Sequence, residues 1–287
     1  MVLWQTTLYI LSSAMFYSLL VVGFGFILRS SKFFNVAYGG AFLVGGYAMF
    51  LLYRMYLVPF FLAIVISLAL SGLYFVLSNK FIFEPLFKRK ASNFILLISS
   101  FGLLIATSAI IGIIFGNQAT IVARHLSDVS TVNILGGALS YVQLATFIVT
   151  PVLIIALAII YYKTRFGRAM RAIENDREMS ELVGISTSNI TMWVYMISGI
   201  LAGIGGIGEG FEVGINPYAG LFYILPIIVV AVLGGMKSFW GGILGAFVLV
   251  IAQKLTVLIF GGSWEQAVPF VVLIIVLLVR PEGILKR

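Results

Sequence analysis

Cysteine is absent from the 287 residues, which excludes disulfides, thiolate metal sites and a cysteine nucleophile. Histidine occurs once, at His125, and no HExxH-like cluster accompanies it, so neither a metal site nor a catalytic triad can be assembled. With Asp128 three residues on, His125 reads as a solvated loop feature. No GxxxxGK[ST] run is present, so nothing here cradles nucleotide phosphates in that way. Charge is scarce too. Only 10% of residues are Asp, Glu, Lys or Arg against 61% hydrophobic, which excludes an ordinary soluble domain. The net charge of +8 sits in short basic clusters flanking apolar runs, where membrane topology explains it and nucleic-acid binding does not.

What is present is a succession of apolar runs long enough to cross about 30 Å of hydrocarbon. They fall near 8–28, 37–54, 57–79, 93–116, 142–162, 191–209, 221–236, 239–260 and 266–279. The runs are continuously apolar and do not alternate in and out, so the fold class is all-α: a polytopic transmembrane helical bundle of about eight to nine spans, some short or broken. The first run, Leu8 to Leu28, lacks a basic leader and a small-residue cleavage site, and a retained span is expected. With nine spans, four basic groups share one side: Arg29 and Lys32; Lys80, Lys88, Arg89 and Lys90; Lys163, Arg165, Arg168, Arg171 and Arg177; and Arg280, Lys286 and Arg287. That side is expected to be cytoplasmic, with the N-terminus outside. The opposite loops carry little basic charge beyond Arg54 and Arg124.

The runs 221–236 and 266–279 are short and contain Pro226 and Pro269, consistent with broken or re-entrant helices beside a polar pathway, or with kinked helices that have no such role. Gly199 and Gly203, Gly206 and Gly210, and Gly241 and Gly245 have GxxxG spacing, which points to dense helix packing or a subunit interface. Between two spans lies a charged island, GRAMRAIENDREMSELVGI, Gly167 to Ile185. Phe166, Met170 and Ile173 fall near one helical face, Asn175 and Glu178 have capping-box spacing, and Gly184 suits a helix end, so two short helices broken near Asn175 are expected. Glu174, Asp176, Glu178 and Glu181 nearly balance the basic residues, which favours docking in a protein groove over resting on anionic lipid.

These residues resemble a known family. RAMRAIENDREMSELVGIS, followed by a span and LAGIGGIGEG, is similar to the cytoplasmic loop of ABC-importer permeases of the branched-chain amino acid (LivH/LivM-like) type. FNVAYGGAFLVGGYAMF, AVLGGMKSFWGGILGA and RPEGILKR resemble three further blocks of that family, in its order, from about residue 33 to the end. Tyr38 stands where the pattern often has histidine, Gly40 where it often has an acid, and Lys237 where a small residue is usual.

The resemblance implies one permease domain over 1–287, with a coupling loop at 163–190, in the inner or cell membrane of a bacterium or archaeon. It implies alternating-access import of branched-chain or other hydrophobic amino acids, with no chemistry and no cofactor in this chain. ATP and Mg would be bound by separate ATPase subunits; the other partners would be a second, homologous or identical permease, an extracytoplasmic solute-binding protein and membrane lipid. The coupling contact would use Arg168, Arg171, Glu174, Asp176, Glu181, Leu182 and Gly184. Asn35, Tyr38, Gly39, Gly40, Asn216 and Pro217 would expose backbone along the substrate pathway, or else form tight turns between spans. Glu209 and Glu212 are assigned to the outer vestibule, while Lys254 is expected to snorkel to the span end. The alternatives are a permease for urea or another small polar solute, and an ion-coupled secondary transporter in which Glu209 and Glu212 relay protons.

Overall fold

The computed structural model describes residues 2–124, 131–134, 137–236 and 238–279. His125, Ser127, Asp128, Lys237 and the tail from Arg280 lie outside them. The chain runs α1 (Val2–Ser31), α2 (Tyr38–Met49), α3 (Phe60–Ser78), α4 (Glu84–Lys88), α5 (Asn93–Phe115), β1 (Thr131–Ile134), β2 (Gly137–Ser140), α6 (Tyr141–Lys163), α7 (Arg165–Asn175), α8 (Arg177–Leu182), α9 (Thr187–Glu212), α10 (Ala219–Gly234), α11 (Phe239–Phe260) and α12 (Val268–Val279). Phe50–Met55 and Asn79–Phe83 continue α2 and α3 as π-helical turns.

Among the described residues, six helices are long and apolar enough to cross a membrane, and α10 and α12 are shorter apolar helices. Pro226 lies inside α10, whereas Pro269 is the second residue of α12, a position that tolerates proline because its missing N–H would be unpaired there anyway. The segment between α5 and α6 holds an antiparallel hairpin that the hydropathy pattern gave no reason to expect, pairing Thr131 with Ser140 and Ile134 with Gly137.

Two compact units make up the chain. One comprises 26–124 and 155–224, the other 1–25, 125–154 and 225–287. In the first, α2, α3 and α9 are held together by glycine. A Cβ on Gly206 would collide with the Phe42 carbonyl, one on Gly45 would lie 2.9 Å from the Gly203 oxygen, and one on Gly199 would lie 2.8 Å from the Ser71 oxygen. Gly199, Gly203 and Gly206 of α9 therefore bring backbones of the same chain together, whereas Gly210 faces the Val122 side chain. Ser71 Oγ sits between the carbonyls of Ala41 and Gly199, 2.7 Å from each, so its single hydroxyl proton can be donated to either one.

In the second unit, Gly241 and Gly245 serve α10 in the same way: a Cβ on Gly245 would lie 2.8 Å from the Val230 oxygen, and one on Gly241 would strike the Gly234 carbonyl. The Gln5 side chain clamps the hairpin, donating to the Ala138 carbonyl at 2.7 Å and accepting its N–H at 2.8 Å. Lys254 does not snorkel alone; its Nζ pairs with Glu265 at 2.7 Å, tying α11 to the turn before α12.

Candidate functional site

The charged island folds as two helices, and the break falls at Asp176, whose extended backbone (φ −148°, ψ 114°) separates α7 from α8. The capping residue is Asp176 rather than Asn175: its carboxylate accepts the Met179 N–H at 3.0 Å. The sequence offers both residue types in succession, and only the backbone decides which one stands outside the helix. Thr164 caps α7 by accepting the Gly167 N–H at 3.1 Å. Gly184, with φ +86°, ends α8 in the left-handed region that glycine enters without steric cost.

Amphipathicity seats α7. Met170 and Ile173 are buried, and Arg168 is exposed. Gly167 allows α7 to turn hard against the end of α6, since a Cβ there would strike the Ile160 and Tyr161 carbonyls. Two of the proposed coupling residues point back into the protein. Arg171 donates to the Tyr161 carbonyl and lies 5.2 Å from that ring's centre, while Glu174 accepts the Tyr161 hydroxyl at 2.8 Å. Both brace α7 on α6. Glu181 is exposed, accepts the Thr187 hydroxyl at the start of α9, and lies 3.7 Å from Arg177, which in turn stacks 5.2 Å from the Phe87 ring. Lys32 Nζ reaches the carbonyl of Asn175, the last of α7, at 3.4 Å.

This bracing leaves α8 with a bare apolar tip. Met179 is 58% exposed, Leu182 81% and Val183 70%. Sequence reasoning found Leu182 but passed over Met179 and Val183; the signal available was three large apolar residues inside an otherwise charged segment.

The proposed pathway residues gather in the first unit. After α1 the chain turns through Lys32, at φ +57°, and enters the interior as a non-helical stretch that is buried or half-buried from Phe33 to Ala37. Its polar groups are met by side chains: Asn35 donates to the Tyr195 hydroxyl at 3.1 Å, Asn35 Oδ1 accepts the Ala37 N–H at 3.1 Å, and Val36 N–H donates to Ser100 Oγ at 3.1 Å. Irregular backbone at membrane depth persists only when its hydrogen bonds are supplied in this manner. Tyr38 is fully buried, its ring 6.1 Å from that of Phe75.

Gly39 and Gly220 press face to face, each glycine's carbonyl oxygen lying 2.5 Å from where the other's Cβ would stand. A Cβ on Gly40 would run into the Tyr74 hydroxyl. Asn216 makes an Asx turn into α10, its side chain accepting the Tyr218 N–H at 2.9 Å, and Pro217 is buried beside it. The structure thus gives Tyr38, Gly39, Gly40 and Asn216 packing and turn contacts.

At the other end of α9, Glu209 is half-buried and accepts the hydroxyl of Tyr223, whose ring stacks on Phe42 at 4.9 Å. Glu212 is exposed. A strap from Thr120 to Arg124 closes over this end: Thr120 and Ile215 exchange backbone hydrogen bonds at 2.9 Å, Val122 N–H donates to Gly210 at 2.8 Å, and Arg124 lies 3.9 Å from the centre of the Tyr53 ring. Among the described residues, no group of three or more His, Asp or Glu side chains is placed to hold a metal ion.

Comparison with known proteins gives a consistent result. The family described as "Branched-chain amino acid transport system / permease component" matches residues 6–277. The high-affinity branched-chain amino acid transport system permease protein BraD of Pseudomonas aeruginosa is 30% identical, over 94% of this chain and 92% of its own length. The corresponding LivH of Escherichia coli is 28% identical over 94% of this chain and 91% of its own. A probable branched-chain amino acid transport permease protein LivH of the archaeon Methanocaldococcus jannaschii is 27% identical over 96% of this chain and 91% of its own. Among solved structures, PsaBC from Streptococcus pneumoniae in complex with Fab shares the fold, with a TM-score of 0.53 at 13% identity, covering 95% of this chain and 91% of that one.

Proposed function

Because the chain belongs to the permease-component family of branched-chain amino acid transport systems, we propose that it is the membrane-spanning permease subunit of an ABC importer for branched-chain or other hydrophobic amino acids. The whole chain acts as one permease domain, and 163–190 is its coupling loop. ATP and Mg are held by separate ATPase subunits, a second permease completes the translocator, and an extracytoplasmic solute-binding protein delivers the substrate. The inner or cell membrane is its location, with α7 and α8 on the cytoplasmic side that the basic clusters mark.

The observation that carries this reading is the α7–α8 pair. It is anchored to α6 by Arg171 and Glu174, to α9 by Glu181, and to the stretch after α1 by Lys32, and it presents Met179, Leu182 and Val183 outward. A braced helix pair with an exposed apolar tip and a charged rim has the anatomy of a docking element: an apolar centre supplies affinity and the rim supplies register. Arg168, Glu181, Leu182, Met179 and Val183 meet the ATPase, whereas Arg171, Glu174, Asp176 and Gly184 shape the element that meets it. Closure of the ATPase pair would then move α6 and α9 as rigid extensions of α7 and α8, giving alternating access.

Purification of the tagged chain from its native membrane, with partners identified by mass spectrometry, tests this. Nucleotide-binding subunits and a second permease are expected. Recovery of the chain alone, together with uptake that follows the proton gradient and needs no ATPase, would overturn the reading.

A further inference from the structure

The end of α4 and the turn after it carry three exposed cations in a row, Lys88, Arg89 and Lys90. The topology rule accounts for their sign, but not for where α4 is packed. The centre of the Phe87 ring lies 5.2 Å from the Arg177 guanidinium of α8 and 5.9 Å from the centre of the Phe33 ring. Glu84, the first residue of α4, accepts the hydroxyl of Ser188, at the start of α9, at 3.0 Å. α4 is therefore seated against the docking element, within the same compact unit.

Each of the two short helices turns its minority charge inward. Glu84, the one acid of α4, is engaged by Ser188 and by Lys88, whose ammonium is 3.0 Å away on a side chain that stays 74% exposed. Arg177, the one base of α8, is half-buried on Phe87 and lies 3.7 Å from Glu181. What α8 and its cap leave exposed is acidic, Asp176, Glu178 and Glu181, around the apolar tip; what α4 and its turn leave exposed is basic. Three carboxylates and three cations thus stand side by side on two helices that touch.

Such a face is ill suited to anionic lipid, which would attract the basic turn and repel the acidic tip at once. A protein can meet both signs, and neighbouring patches of opposite charge set the orientation in which it lands as well as how fast it does so. Resting on the permease reading, we propose that α4 and α8 form one dipolar docking face, and that the ATPase subunit presents to it a basic patch opposite Asp176, Glu178 and Glu181 and an acidic patch opposite Lys88, Arg89 and Lys90. The apolar tip holds the partner, and the dipole selects one orientation: an ATPase turned by half a revolution about the contact meets like charge on both sides.

The test is the rate at which purified ATPase subunits associate with the permease in nanodiscs of phosphatidylcholine, which has no net charge. Lys88→Glu, Arg89→Glu and Lys90→Glu together should slow association at least tenfold in 0.1 M salt, where charges act over about 10 Å, and less than threefold in 1 M salt, where the range is about 3 Å. An unchanged rate overturns the proposal. So does a deficit that appears only when anionic phosphatidylglycerol is added, which would assign the basic turn to lipid headgroups.

Glu178→Lys supplies a second arm, and it decides alone if the triple reversal disturbs membrane insertion, because position 178 lies outside the basic clusters that orient the chain. On a dipolar face this added cation opposes a basic patch, and association should slow at least threefold in 0.1 M salt. A partner that is acidic throughout would instead bind faster, and acceleration or no change refutes the dipole. Failure of the permease reading is separately visible, because the unsubstituted chain would then bind no ATPase subunit at either salt concentration.

Discussion

Truncation of the α8 tip by Leu182→Ala with Val183→Ala should weaken ATPase docking by on the order of a hundredfold. A buried CH2 group is worth about 0.8 kcal/mol. Leu182 is 81% exposed and Val183 70%, so docking can remove most of each side chain from water. Scaled by those exposures, the carbons lost come to about 2 kcal/mol for Leu182 and about 1 kcal/mol for Val183, and every 1.4 kcal/mol is roughly tenfold in Kd. Neither side chain braces the loop, whose caps and ties run through Thr164, Asp176, Arg171, Glu174 and Glu181, so the element itself should survive. The assay is titration of purified ATPase subunits onto the permease in nanodiscs, with Arg168→Ala as a rim control expected to change Kd only a few-fold. A change under threefold for the double truncation, or a larger effect from Arg168→Ala than from the truncation, would refute an apolar-centred contact.

Further predictions concern the scaffold. Gly206→Ala forces a methyl group onto the Phe42 carbonyl and should cost about 1–3 kcal/mol, read as a lowered melting temperature in detergent; no change would mean that α2 and α9 can separate freely. Asp176→Ala removes the α8 cap and should cost about 1 kcal/mol locally, visible as faster amide exchange at 177–182 with the membrane helices unaffected. Equal exchange in both proteins would show that docking contacts, not the cap, order α8. Lys254 and Glu265 are both partly exposed, so a double-mutant cycle with Lys254→Gln and Glu265→Gln should return no more than about 1 kcal/mol of coupling; a much larger value would place the pair out of water's reach.

The helical plan was legible because each apolar run had to satisfy its own backbone, and the only local way to do so in hydrocarbon is a helix. The two island helices were legible for a different reason: Met170 and Ile173 keep helical period amid charge, and Gly184 stops the pattern. The cap was misplaced by one residue because Asn175 and Asp176 have the same chemistry and differ only in backbone angle. The buried course of Phe33 to Ala37 was not readable in detail, since its hydrogen bonds come from Tyr195 and Ser100, far away in sequence. Met179 and Val183 were passed over because large apolar residues are unremarkable in such a chain; their exposure is what distinguishes them. The β1–β2 hairpin is clamped by Gln5, 133 residues before Ala138 in the sequence, a pairing that no periodicity announces.

The reciprocal contact of Gly39 and Gly220 has an evolutionary consequence. When a large residue presses on a small one, a mutation that enlarges the small partner can be rescued by shrinking the large one. Here each side is already the smallest residue available, and what each presents to the other is backbone, which no side-chain substitution alters. A screen for second-site suppressors of Gly39→Ala should therefore recover changes that displace α2 or α10 as a whole, and none at position 220. Such a pair is invisible to covariation, because neither partner has a tolerated alternative with which to covary.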